Sequence, residues 1–285
     1  MTDQFFTTSD GARLFTRMLG QNETKTPVIV LHGAPGAHTH AAAEAGYGFL
    51  QTDRRVLVFD ARGSGVSDDL GPLNHARWAE DVEELRIGFG FDKFILAAHS
   101  FGGFVALQYA INYKSRVAAL ILEDTSAESV SIVRCIEHFI KAAPAHIDRL
   151  RLRRMVTGTL HDEEDFLGSM ADLATLTAST ATKASPPAGS HGELRLRTRT
   201  HNCAFRDDFP DYDIRSRLHE IRCPSFVAVG ALDPVMPVEC GKELAANIPH
   251  AELVMFPRSG HNPSVEESAA FRAEVLRFLA ACYAT

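Results

Sequence analysis

The chain contains 285 residues, of which 45% are hydrophobic and 23% charged, ordinary values for a folded globular protein. Its 29 basic and 36 acidic residues leave a net charge of −7, which argues against a nucleic-acid partner because a phosphate backbone needs a concentrated basic face. No apolar run reaches the roughly 18 residues of a membrane helix, and the N-terminus lacks the pattern of a signal peptide. Five scattered cysteines without C-x-x-C spacing fit reduced thiols. We expect a cytoplasmic protein with no membrane partner.

The first half of the chain alternates short apolar runs with helical patterns. A β-hairpin is predicted first, because runs around Phe5 and at 13–18 flank the turn signal SDGA. Four later runs are typical of buried strands: PVIVLHG at 27–33, RVLVFD at 55–60, FILAAHS at 94–100 and VAALILED at 117–124. An amphipathic helix is predicted at 75–90. This alternation predicts parallel βαβ units, and therefore an α/β fold with a doubly wound, mostly parallel sheet.

The alternation stops after Glu123, and the following stretch is mainly helical pattern broken by proline and glycine. It returns in four elements: SFVAVGALD at 225–233, a helix near 238–247, AELVMF at 251–256 and a last helix at 264–283. We therefore predict an α/β core in two parts, residues 1–126 and 213–285, with a helical cap inserted at 127–212.

Ser100 lies in LAAHSFGGFVALQYA, between a predicted strand and a helical pattern. A nucleophilic serine on such a turn needs small neighbours, because its backbone is strained and the strand and helix pass closely. Gly102 and Gly103 supply them, although Ala98 stands where the G-x-S-x-G pattern has glycine. We interpret Ser100 as a nucleophile. The alternative is an incidental serine at a glycine-packed helix start.

The loop HGAPG, residues 32–36, directly follows a predicted strand. Acyl transfer requires preorganised N–H donors for an oxyanion, and a loop of small residues lets the backbone approach a carbonyl oxygen. We predict that the amides of Ala34 and Phe101 form this oxyanion hole; a plain Gly-Pro turn is the alternative. The substrate-pocket candidates beside these loops are His32, Gly33, His99 and Leu232, of which His32 is also expected to brace the loop.

Two more polar residues, Asp233 and His261, follow the last two predicted strands. A serine hydroxyl needs a histidine to take its proton and a carboxylate to fix the imidazole tautomer. Because the three residues end three separate strands, we predict that Ser100, Asp233 and His261 form a catalytic triad. Asp124 also ends a strand and is the alternative acid.

The stretch AHTHAAAE, residues 37–44, contains the metal-ligand types His38, His40 and Glu44. We interpret it as an ordinary polar loop near the pocket, because no further ligands cluster with it. The sequence also lacks a glycine-rich phosphate loop. We therefore expect no metal and no organic cofactor.

With its Ser100, Asp233, His261 order, the chain resembles the α/β-hydrolase superfamily over essentially its whole length. Two stretches resemble the prolyl aminopeptidase (proline iminopeptidase) group. HGAPG is similar to that group's HGGPG loop, and DARGSGVS at 60–67 is similar to its DQRGSGRS loop, in which we interpret Arg62 as structural. The resemblance implies an α/β-hydrolase fold and a serine hydrolase that works through an acyl-enzyme.

The elbow and the cap depart from that group. AHSFGG stands where the group has GGSWGG. In that group, glutamates of the cap hold the free amine of the substrate. Glu163, Glu164 and Glu193 lie in the predicted cap of this chain, but none of them is assigned this role. The expected function is a proline iminopeptidase-type aminopeptidase or amidase acting on a small-molecule or short-peptide substrate. The core also resembles that of carboxylesterases, lactonases and C–C bond hydrolases, which are the first alternative. A non-catalytic ligand-binding protein is the second, and the oligomeric state stays open.

Overall fold

The computed structural model describes residues 1–177 and 195–283. Within them, eight strands form one sheet in the order β1-β2-β4-β3-β5-β6-β7-β8. The strands are β1 Thr2–Thr7, β2 Arg13–Leu19, β3 Val28–Leu31, β4 Val56–Phe59, β5 Phe94–His99, β6 Val117–Glu123, β7 Ser225–Gly230 and β8 Ala251–Phe256. β1 and β2 form the predicted antiparallel hairpin, and β2 also pairs antiparallel with β4. The remaining strands are parallel, which confirms the predicted fold class.

The central strands are apolar except at their ends, because both faces of the sheet are covered. Successive side chains of a strand point to opposite faces, so β3 sends Ile29 into one hydrophobic cluster and Val30 into another. The first cluster contains Trp78 of the helix between β4 and β5, and the second contains Phe271 of the last helix. The sheet therefore has a helical layer on each side.

Ten α-helices accompany the sheet in the described residues: α1 His40–Tyr47, α2 His75–Gly88, α3 Phe101–Asn112, α4 Val130–Ala142, α5 Arg149–Val156, α6 Glu163–Thr177, α7 Thr198–Asn202, α8 Val238–Asn247, α9 Pro263–Glu266 and α10 Ser268–Cys282. The predicted last helix is in fact divided into α9 and α10. Its break falls at Glu267, whose side chain turns back to accept the N–H of Arg258 and the hydroxyl of Ser259. No helix in the described ranges is both long and apolar enough to cross a membrane.

Helices α4 to α7 lie between β6 and β7 in the chain. Residues of α4, α5 and α6 share a separate hydrophobic cluster, which contains the fully buried Phe166. Ala37, from the loop after β3, belongs to the same cluster. The N–H of Arg197 also donates to the carbonyl of Gly36 at 2.8 Å, which ties this helical segment to the HGAPG loop. The division into cap and core at residues 126 and 212 remains a prediction.

Arg62 anchors the loop after β4 through buried ion pairs. Its guanidinium donates to Asp81 at 2.7 Å and to Asp10 at 2.9 Å, and its side chain is fully buried. The indole of Trp78 donates to the Arg62 carbonyl at 3.0 Å. A buried cation needs such partners, since an uncompensated one would cost several kcal/mol. These contacts support the interpretation of Arg62 as a structural residue.

Candidate active site

Ser100 occupies the turn between β5 and α3 in a strained conformation, with φ +52° and ψ −123°. Two glycines in the first turn of α3, Gly102 and Gly103, allow this turn to pack closely against neighbouring loops. A Cβ on Gly102 would lie 2.6 Å from the carbonyl oxygen of His32, and a Cβ on Gly103 would lie 2.3 Å from the hydroxyl oxygen of Thr125. Neither contact leaves room for a side chain, so both glycines are required for the close passage of α3 over the sheet.

Positive φ is concentrated around this turn. Among the described residues other than glycine, four have a positive φ: Ala34 at +40°, Ser100 at +52°, Asp124 at +43° and His250 at +61°. The first three follow β3, β5 and β6, which are neighbours in the sheet. Such conformations cost of order 1–3 kcal/mol each and cluster at functional sites. The strain therefore marks this edge of the sheet as the candidate site.

The structure brings together the three residues predicted to form the triad. Ser100 Oγ lies 2.9 Å from His261 Nε2, and His261 Nδ1 lies 2.7 Å from Asp233 Oδ2. The other oxygen of Asp233 accepts the N–H groups of Val235 at 2.7 Å and Met236 at 3.1 Å, which fixes the carboxylate. Because an ionised carboxylate only accepts, Nδ1 carries the imidazole proton and Nε2 is free to accept from the serine.

The acid Asp233 controls the charge of His261. Burial disfavours the charged imidazolium, but the negative charge and hydrogen bond of Asp233 outweigh it and raise the pKa of His261 above its usual value of 6.5. The charges of Glu123 and Glu266 act in the same direction. A histidine with this pKa accepts a proton readily during a reaction at neutral pH.

This raised pKa predicts an acid limit to activity. Only the neutral His261 can accept the serine proton, so kcat/KM is expected to fall as pH drops, with a midpoint above 6.5. The profile of kcat/KM reports the free enzyme, so it should be measured at low substrate concentration, with circular dichroism at each pH to show that the protein stays folded. A midpoint at or below 6.5 would contradict the account of the ion pair.

The HGAPG loop passes directly over the serine. A Cβ on Gly33 would lie 2.9 Å from Ser100 Cβ, so this pocket candidate must be glycine. The Ala34 carbonyl accepts the N–H groups of Ala37 at 3.0 Å and His38 at 2.9 Å, which closes the loop into a tight turn. Within the described ranges, the N–H groups of Ala34 and Phe101 donate to no other protein atom. Both amides are therefore available to a bound oxygen.

Two histidines predicted near the pocket support neighbouring backbone. His32 Nε2 accepts the N–H of Ala61 at 3.1 Å, and its Nδ1 donates to the Gly33 carbonyl at 2.7 Å, so this buried ring braces the loop as expected. His99 Nε2 lies 2.8 Å from the backbone oxygen of His261, which can only accept, so Nε2 carries a proton. Burial lowers the pKa of His99, which keeps it neutral.

The other pocket candidates and the cap glutamates are exposed or lie outside the described residues. The Leu232 side chain is exposed and immediately precedes Asp233. Glu163 and Glu164 are exposed in the first turn of α6, and Glu193 lies outside the described residues.

The prediction of a polar loop at 37–44 is wrong, because α1 begins at His40. Thr39 caps this helix by accepting the N–H of Ala41. His40 Nδ1 pairs with Asp60 at 2.7 Å, and Glu44 pairs with Arg17 at 3.0 Å. These side chains have separate partners, so they do not form a common ligand set. The capping threonine and the alanine run were the signal for this helix.

One group of potential metal ligands lies close together in the described part of the chain. Ligand atoms of Asp124, Asp233 and His261 lie within 4.8 Å of one another. Two of the three side chains already hydrogen bond to each other, because His261 Nδ1 faces Asp233 Oδ2 at 2.7 Å. We therefore continue to predict that this group transfers a proton and holds no metal.

Glu123 is a supporting residue that the sequence analysis did not identify. Its buried carboxylate accepts the hydroxyl of Tyr47 at 2.9 Å and the N–H of Ser264 at 2.7 Å, and its backbone oxygen accepts the N–H of Ser100 at 2.9 Å. It therefore joins the serine turn to α1 and to α9, the helix just after His261. The sequence signal for this role of Glu123 was the acidic pair Glu123-Asp124 at the end of an otherwise apolar run.

An apolar cleft lies between the helical segment and the loop after β7. It is lined by Ile136, Phe139, Leu152, Met155, Leu173, Pro234 and Val235. The cluster formed by several of these residues also packs against Ala34. Nearby acids have arginine partners: Asp165 pairs with Arg154 and Asp172 with Arg151, both at 2.6 Å. The lining of the cleft is apolar and, among the described residues, contains no carboxylate.

The fold, the serine turn and the strand-end residues together define an enzyme of the hydrolase class. The family model described as "alpha/beta hydrolase fold" matches residues 26–268, so the chain belongs to this family. Its relatives include a proline iminopeptidase of Clostridioides difficile, 30% identical over 271 residues that cover 90% of this chain and 91% of the relative.

Two further relatives extend this comparison. The proline iminopeptidase PfmaB of Pestalotiopsis fici is 29% identical over 268 residues, which cover 92% of this chain and 94% of the relative. The crystal structure of the proline iminopeptidase of Mycobacterium smegmatis superposes with a TM-score of 0.76 at 20% identity, covering 99% and 98% of the two chains. The chain is thus a hydrolase similar to proline iminopeptidases.

Proposed function

We propose that the protein is a serine hydrolase that works through an acyl-enzyme on Ser100. The observation that carries the proposal is the hydrogen-bond chain from Ser100 Oγ through His261 to Asp233, at 2.9 Å and 2.7 Å. A serine hydroxyl at its ordinary pKa is a weak nucleophile, and this chain supplies the base and the orienting acid that it needs.

In the first half of the reaction, Ser100 Oγ attacks the substrate carbonyl carbon while its proton moves to His261 Nε2. The carbonyl oxygen becomes an oxyanion that accepts the N–H groups of Ala34 and Phe101. The tetrahedral intermediate then collapses, and the imidazolium gives its proton to the departing amine or alcohol. In the second half, water attacks the acyl group, and His261 takes the proton of the water and returns it to Ser100.

As substrate we propose a short peptide or amide that begins with proline. This proposal rests on the relatives at 29% and 30% identity, which are proline iminopeptidases. The apolar lining of the cleft between α4, α5, α6 and the Pro234 loop is of the chemical kind that a pyrrolidine ring needs, since small-molecule sites are mostly apolar with a few polar groups. Binding of the ring would require the lining side chains to move apart.

A second candidate is an esterase or lactonase acting on an apolar acyl group. It is favoured by the lining of the cleft, which among the described residues contains no carboxylate to hold a charged amine. Charged amines lose much solvation on burial and need such a partner.

A matched set of substrates decides between the two. Prolyl anilide is compared with cyclopentanecarboxylic anilide, which keeps the ring shape and lacks the amine, and with the nitrophenyl ester of the same acid. The aminopeptidase proposal predicts at least about a tenfold larger kcat/KM for prolyl anilide than for the cyclopentyl anilide, equivalent to 1.4 kcal/mol of amine recognition. Equal cleavage of both anilides, with faster ester hydrolysis, would favour the second candidate.

A further inference from the structure

Asp124 is a buried carboxyl group whose position the proposed mechanism does not use. It follows β6 directly, with φ +43° and 1% of its surface exposed. Its N–H donates to the carbonyl of Ala228 at 3.0 Å, and its Oδ1 accepts the N–H of Gly230 at 2.8 Å. These two bonds fix the carboxyl group at the end of β7, the strand that leads to Asp233.

The carboxyl group of Asp124 lies close to the proposed relay. Asp124 Oδ2 is buried and has no hydrogen-bond partner among the described residues. A carboxylate oxygen of Asp124, a carboxylate oxygen of Asp233 and a ring nitrogen of His261 all lie within 4.8 Å of one another. A buried polar atom without a partner is costly, so its retention beside these groups needs an explanation.

Two carboxyl groups at this distance resist simultaneous ionisation. Burial, followed by the negative charges of Asp233 and Glu123, raises the pKa of Asp124 well above its usual range. Ionisation of Asp124 is therefore disfavoured beside Asp233, the acid that hydrogen bonds to His261 at 2.7 Å.

We propose that Asp124 is a positioning residue of the relay, a reserve carboxyl group that supplies the charge facing His261 when Asp233 is removed. The inference rests on the proposed function. Once Asp233 is replaced by a neutral residue, the largest like charge beside Asp124 disappears. The reserve role requires Asp124 to lose its proton in that variant, although burial still disfavours its charge. Its carboxylate would then lie within 4.8 Å of the imidazole nitrogen, close enough to stabilise the imidazolium.

A double-mutant cycle tests the proposal with the full chain. Four proteins are compared by kcat/KM: wild type, Asp124→Asn, Asp233→Ala and the double variant. Asparagine keeps the acceptor for Gly230 and cannot ionise, so it preserves the structural role of Asp124 alone. In wild type, we expect Asp124→Asn to lower kcat/KM by a few-fold. In the Asp233→Ala background, the same substitution should lower kcat/KM by about 10². The double variant should then show the roughly 10⁴ loss in kcat/KM expected of a relay without an acid.

Equal factors for Asp124→Asn in both backgrounds would overturn the proposal, as would a full 10⁴ loss in Asp233→Ala alone. Thermal melting of each variant shows whether it folds. If Asp233→Ala does not fold, infrared difference spectroscopy of wild type against Asp124→Asn decides. The proposal predicts a carbonyl band of an un-ionised carboxyl group at neutral pH that Asp124→Asn removes, and absence of this band contradicts it. An active Ser100→Ala would instead refute the proposed function.

Discussion

Ser100→Ala is expected to lower kcat by about 10⁶, because the variant lacks the oxygen that forms the acyl-enzyme. Substrate binding should change little, since the proposed substrate cleft and the two amides proposed to bind the oxyanion do not depend on the hydroxyl. Residual turnover above the uncatalysed rate is expected from these amides, which contribute independently of the nucleophile. The measurement is the steady-state rate on the best anilide or ester, with KM determined alongside kcat.

A suitable control is Ser126→Ala, which removes the hydroxyl of another buried serine at the end of β6. Its hydroxyl oxygen accepts the N–H of Glu128 and takes no part in the relay, so the control should retain turnover. If Ser100→Ala retained activity comparable to the Ser126→Ala control, Ser100 would not be the nucleophile.

His261→Ala is expected to cost a similar factor, about 10⁶ in kcat. Without the imidazole, Ser100 keeps its proton, and the leaving group has no acid to protonate it. The two residues act as one unit, so the double variant Ser100→Ala, His261→Ala should be no slower than either single variant. Covalent labelling by a fluorophosphonate gives an independent measurement, since only an activated serine reacts quickly.

The matched control for this variant is His219→Ala, an exposed histidine in the turn before β7. It should label and turn over like wild type. Additive losses in the double variant would mean that Ser100 and His261 act in separate steps, which the 2.9 Å contact between them does not allow.

Much of the core could be predicted because its strands are buried on both faces. Runs such as those at 94–98 and 226–230 contain no polar side chain, as expected for a strand in the middle of a covered sheet. Ser100, Asp233 and His261 could be proposed as one site because the carboxyl ends of parallel strands meet at one edge. The same reasoning included Asp124, which the structure places beside them.

Local sequence patterns do not predict the conformation of a residue that depends on contacts distant in the chain. Helix α1 has only eight residues, and its position follows from packing of Tyr47 between the sheet and α10. The break at Glu267 depends on backbone and hydroxyl groups of the preceding loop. The hydrogen bonds of Glu123 reach residues 76 and 141 positions away, and no local pattern contains such information.

Trapping the acyl-enzyme tests the central claim most directly. A slowly deacylating nitrophenyl ester is mixed with the protein, quenched in acid, digested with trypsin and read by mass spectrometry. Cleavage after Lys93 and Lys114 yields a peptide of residues 94–114 in which Ser100 is the only serine. The account predicts one acyl group on Ser100, present in wild type and absent in His261→Ala. Turnover without any acyl group on this peptide, or with the label on another residue, would contradict it.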